Sequence, residues 1–129
     1  MGDRANFGFR VNKDEPTLFL YGHWAGYEML SQLAHALEAA RPRWQDAAYG
    51  TRIAISHMIG TDWASETGWG LSIDSLCDNE HSVPVVDWNA QTVSLYEATW
   101  SKAPNYDKPK FTMGLDAFVK KFSKTPTLV

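Results

Sequence analysis

Asp78-Asn79-Glu80-His81 sets two carboxylates, a carboxamide and an imidazole at four consecutive positions. Side chains of these types serve proton transfer, divalent-metal ligation or ligand recognition. An apolar run over residues 83–86 follows almost at once. The loop therefore stands at the mouth of a buried strand, a common place for functional groups. Adjacent residues rarely aim three ligands at one ion, and the spacing matches neither an EF-hand loop nor a helical His-x-x-x-His zinc pair, so no metal is expected here. Asp-Asn is also a good turn and capping pair, which is the plainer use of the same residues. Cys77 lies four residues before His81, but a Cys/His nucleophile pair is usually assembled across a fold rather than within one loop.

Three further groups carry chemistry. His23 falls where a strand gives way to a helix, next to Trp24 and Gly26. Such turns present ligand-binding groups at a helix N-terminus, and imidazole is the side chain suited to proton transfer near neutral pH. A structural histidine bonded to nearby backbone is the competing reading. Arg52 falls on or beside a mostly apolar helix face, where a guanidinium needs a partner. Asp78, Glu80, Asp87 and Glu66 are candidates for a buried ion pair, and a phosphate or carboxylate clamp is the alternative. Arg4 is a second candidate for the same part. Glu66-Thr67-Gly68-Trp69-Gly70 reads either as a mobile aromatic gate or as a bulge or tight turn entering a strand. Trp24, Trp69 and Trp88 are rings that can stack on a base or fill a partner's pocket. The candidate ligand-binding set is thus His23, Trp24, Arg52, Glu66, Trp69, Asp78, Asn79, Glu80, His81 and Asp87, with no catalytic residue, metal or cofactor assigned.

The elements that must position these groups follow from periodicity. Residues 7–11 and 17–23 alternate as two strands around a polar turn, predicting an antiparallel hairpin. Apolar groups on both faces of the second strand place it inside the sheet. Residues 27–40 carry apolar side chains at helical spacing, stopped by Pro42. A second helix is expected from an Asp46 N-cap to Ile59, with Gly60 as its stop. Residues 69–74, 83–88 and 92–98 read as strands, the last two as a hairpin. Residues 101–110, with two prolines, read as an irregular connection, and residues 115–122 as a short helix capped by Thr112. The tail after Lys124 is expected to fray. The order β-β-α-α-β-β-β-α predicts one α+β domain over residues 1–129, an antiparallel sheet of about five strands with two to three helices packed on one face.

Bulk composition narrows the function classes. The chain has 129 residues, 44% hydrophobic and 21% charged, which is the composition of one soluble globular domain. A net charge of −3 does not suit a nucleic-acid binder that neutralises phosphates. The Lys120-Lys121-Lys124 patch reads as the solvated face of the last helix. A single cysteine allows no internal disulfide and fits a reducing compartment. No signal peptide, myristoylation signal or apolar run long enough for a membrane span is read, so a cytoplasmic protein is expected. Aromatic residues reach 13%, six of them Trp, which a large-ringed core or a ring-lined binding surface would explain.

Several phrases occur together: Gly2-Asp3-Arg4-Ala5-Asn6, Tyr21-Gly22-His23-Trp24-Ala25-Gly26, Thr51-Arg52-Ile53, Glu66-Thr67-Gly68-Trp69-Gly70, Asp78-Asn79-Glu80-His81, and Val86-Asp87-Trp88 with Gln91-Thr92-Val93. With them the chain resembles, over about residues 2–97, a family of small uncharacterised proteins carried by bacteriophages and bacteria. The resemblance implies a phage or prophage setting and assigns no catalytic residue. The leading functional expectation is a binding protein in the host cytoplasm that holds a host protein or a small anionic, nucleotide-like ligand without catalysis. A hydrolase built on His23 and the 78–81 loop is the alternative, and a virion or assembly component the third class. Oligomeric state is not readable from the sequence.

Overall fold

A computed structural model describes residues 2–123. The fold is α+β. Six strands form one sheet in the order β3-β2-β1-β4-β5-β6. They are β1 (Ala5–Arg10), β2 (Leu18–Gly22), β3 (Trp69–Ile73), β4 (Val83–Asp87), β5 (Thr92–Tyr96) and β6 (Pro109–Gly114). Three helices complete the fold: α1 (Met29–Ala39), α2 (Ala47–Ile59) and α3 (Leu115–Phe122). Short 3-10 turns follow α1 and α2, at Arg41–Arg43 and Gly60–Ala64. None of these helices is long and apolar enough to cross a membrane.

The expected β1–β2 hairpin forms, with Phe7 opposite Leu20 and Ala5 opposite Gly22, and β2 lies inside the sheet between β3 and β1. The sheet is not purely antiparallel, however. β1 and β4 run parallel, with Gly8 opposite Val85 and Arg10 opposite Asp87. Val83–Asp87 is buried throughout, as a central strand covered on both faces must be. A sixth strand also forms where an irregular connection and a Thr112 cap were expected. Thr112 pairs with Ser94 in β6, their hydroxyls 2.7 Å apart, and Gly114 is the residue at the N-cap of α3.

Alternation sorts the side chains into two cores. Phe7, Phe9, Leu20, Val86 and Val93 face the helices and pack with Leu33 and Leu37 of α1, Ile55 of α2 and Phe118 of α3. On the other face Phe19, Val83, Val85 and Tyr96 are covered by Leu76 and, at the margin, Tyr106 from the connection before β6. α2 begins as expected, with the Asp46 carboxylate accepting from the Tyr49 N–H at 3.3 Å, and ends at Gly60. α1 begins two residues later than its periodicity suggested, at Met29. Lys120 and Lys121 are exposed on α3, while Lys124 and the tail beyond it lie outside the described residues.

Candidate functional site

The 78–81 loop is bound chiefly to the start of β1. Asn79 is 4% exposed. Its Nδ2 donates to the carbonyls of His81 at 2.6 Å and Thr99 at 3.1 Å, and its Oδ1 accepts from Asn6 Nδ2 at 3.2 Å. Asn6, fully buried, also donates to the Cys77 carbonyl at 2.9 Å and accepts from the Cys77 N–H at 3.3 Å. The Arg4 N–H donates to Glu80 Oε1 at 2.8 Å, and the Arg4 Nε to the Asp78 carbonyl at 3.1 Å. Asp78 takes a left-handed turn, with φ 31°. His81 Nε2 lies 2.6 Å from Asp3 Oδ1. Gly26 packs directly against that pair, and a methyl there would overlap both His81 Nε2 and Asp3 Oδ1. Four polar residues that could have formed a tetrad thus lace a loop to β1. Among the described residues no three His, Cys, Asp or Glu side chains are grouped so as to hold a metal ion.

The remaining candidates divide between the two ends of β2. Arg52 is exposed at the Leu18 end, its Nη1 3.4 Å from Ser56 Oγ, and none of the four carboxylates considered for it is its partner. Asp87 is bound to Arg10 at 3.2 Å and accepts from the Ala90 N–H at 2.9 Å. Trp88 is a core residue, 4% exposed, with its Nε1 donating to Thr51 Oγ1 at 2.8 Å. Glu66 is exposed in the turn before β3.

At the Gly22 end, His23, Trp24 and Trp69 come together. The His23 N–H donates to the Gly68 carbonyl at 2.8 Å, extending the β2–β3 ladder into the turn. Gly68 has φ 99°, a conformation glycine adopts without penalty, and the β2–β3 register runs on without a shift, so the segment is a tight turn entering β3 rather than a bulge. His23 Nδ1 is 2.8 Å from Tyr21 Oη, and the ring stands edge-on to Trp24 with centroids 4.5 Å apart. Burial pushes the Tyr21 phenol above its ordinary pKa, so at neutral pH it is protonated and can donate to Nδ1.

Trp24 and Trp69 form one side of a cleft of about 460 Å³. Gln32 and His35, three residues apart and so on one face of α1, line it, as do His57 and Met58 at the end of α2 and Asp62 in the 3-10 turn. Trp24 is 63% exposed, unusually open for so large a ring. His35 Nε2 is buried without a hydrogen-bond partner. Sequence reasoning missed Gln32, His35, His57 and Asp62, because each sits singly on the polar side of its element and none forms a motif. The signals available were the i, i+3 pairing of Gln32 with His35 and the placing of His57 in the last turn of α2.

The cleft combines flat apolar rings with imidazole, carboxamide and carboxylate groups. That arrangement suits recognition of a small planar molecule with hydrogen-bonding edges. Comparison with protein-family models, curated proteins and solved structures finds no match for this chain.

Proposed function

We propose that the protein is a small binding protein whose cleft between Trp24, Trp69 and the histidines of α1 and α2 holds a nucleobase-like ligand, without catalysis. The observation that carries this reading is the cleft itself, in which the exposed indole of Trp24 stands beside Trp69 and the side chains of Gln32, His35 and His57. The volume of about 460 Å³ falls within the range of small-molecule sites. Stacking on Trp24 or Trp69 supplies affinity, and His35, His57 and Gln32 supply edge recognition. A phosphate on the ligand would be met by the imidazole N–H groups. The phage or prophage setting of this reading rests on the phrases quoted above, and action in the host cytoplasm on the single cysteine, which fits a reducing compartment.

A second reading, a host protein as the partner, is favoured by the exposed rings of Trp24 and Tyr27 on the same turn. Isothermal titration with a panel of nucleobases, nucleosides and nucleotides separates the two. The small-ligand reading predicts saturable one-to-one binding that Trp24→Ala weakens about ten-fold, the scale of one base–aromatic stack. Silence across the panel refutes it.

A further inference from the structure

A second depression, of about 470 Å³, lies at the opposite end of β2, between α2 and the ends of β1 and β2. Ala47 and Ala48 on α2 are too small to fill the space above the strands, so a trough remains. Phe9, Leu18, Ile55 and Leu71 give it apolar walls, and Trp63 from the 3-10 turn stands at its side. Leu71 is 55% exposed, a large apolar side chain left in water.

Three polar side chains reach this trough, and two are already committed. Arg10 is bound to Asp87 at 3.2 Å and lies over the Tyr106 ring, 4.7 Å from its centroid. Thr51 Oγ1 accepts from Trp88 Nε1. Arg52 is different: its hydrogen bond is to the Ser56 hydroxyl at 3.4 Å, and no carboxylate among the described residues pairs with it. A hydrocarbon-lined trough with one uncommitted guanidinium is complementary to a molecule with an apolar body and a single anionic end. Guanidinium binds carboxylate through paired, charge-assisted hydrogen bonds, so the head group gains most from being a carboxylate.

We propose that this trough is a second binding site, distinct from the Trp24–Trp69 cleft, for a free amphipathic carboxylate of medium chain length, with its chain against Phe9, Leu18, Ile55 and Leu71 and its carboxylate on Arg52. The chain supplies affinity through apolar burial, and Arg52 supplies selection for the anionic head.

The test is isothermal titration of the full chain with octanoate, decanoate, dodecanoate and decanol, each below its micelle concentration. Sedimentation velocity is run in parallel. One-to-one binding that strengthens with chain length, with decanoate at least ten-fold tighter than decanol, is the expected result. Arg52→Gln, an exposed change checked by an unaltered melting temperature, should erase the preference for decanoate over decanol. Leu71→Glu should weaken both ligands, and Trp24→Ala neither. The proposal is overturned if no carboxylate binds saturably, or if the preference survives in Arg52→Gln. It is equally overturned if the protein is a stable dimer that Leu71→Glu dissociates, because a second copy would then cover the trough.

Discussion

Replacing Asn79 by alanine tests whether the 78–81 loop is a structural clamp on β1. The side chain makes three hydrogen bonds, to His81, Thr99 and Asn6, and both it and Asn6 are shielded from water. At roughly 1 kcal/mol net per bond, Asn79→Ala should lower stability by about 3 kcal/mol. A chain of 129 residues has an unfolding entropy of about 0.27 kcal/mol/K near its midpoint, so the melting temperature should fall by about 11 °C. Asn79→Asp sharpens the test, since it keeps the shape but turns a donor toward two carbonyl oxygens into a carboxylate. The folded state should raise that carboxyl's pKa. Its deficit should therefore be smallest below about pH 3.9, where an ordinary Asp is protonated, and grow as pH rises. Differential scanning calorimetry at several pH values reads both effects. A fall of under about 3 °C for Asn79→Ala, set against the 11 °C expected, would refute the clamp.

Three further outcomes follow from the same geometry. Gly26→Ala forces a methyl into the His81–Asp3 contact and should lower stability by about 1–3 kcal/mol, the usual range for overpacking. In chemical denaturation the double variant with Asp3→Ala should lose less than the sum of the two single changes, and strict additivity would contradict the packing argument. Arg41 binds Glu38 through two oxygens, at 2.8 and 3.1 Å, and Asp116 at 3.0 Å, tying the end of α1 to α3. The bond to Arg41 holds the Glu38 carboxyl below its usual value; Lys120 first, and then Arg41, do the same for Asp116. Depressed folded pKa values stabilise above the ordinary carboxylate range and lose that effect as pH falls through the folded values. Arg41→Ala should let Glu38 return toward its ordinary value and Asp116 only part of the way, read by NMR titration of the side-chain carboxyls.

Particular residues show how far the sequence could be read. Phe7, Phe9, Leu18 and Leu20 alternate cleanly, so the first hairpin was readable, and Asp46 and Gly60 marked both ends of α2. β6 was hidden because Pro109 and Lys110 look like loop residues, and Phe111 and Met113 are too few to establish a period before α3 begins. The parallel pairing of β1 with β4 joins residues about 77 positions apart, and side-chain alternation carries no information on strand order. The apolar run over 83–86 was the one local hint of a strand buried on both faces. At the site, Trp24 and Trp69 could be picked out as rings beside glycines. The histidines that share their cleft could not, since His35 and His57 are brought together only by helix packing. Arg52 illustrates the opposite error: an apolar stripe suggested burial, but the α2 face it occupies is left open at the trough.

The central claim is that Trp24, Trp69, His35 and His57 form one ligand site. NMR of the indole N–H and imidazole signals, recorded while nucleobases, nucleosides and nucleotides are added, tests it most directly. For at least one ligand these four residues should shift together and saturate at one equivalent, while the signals of Trp63 and Trp100, exposed elsewhere, stay in place. Shifts confined to Trp63, or no saturable shift with any member of the panel, would contradict it.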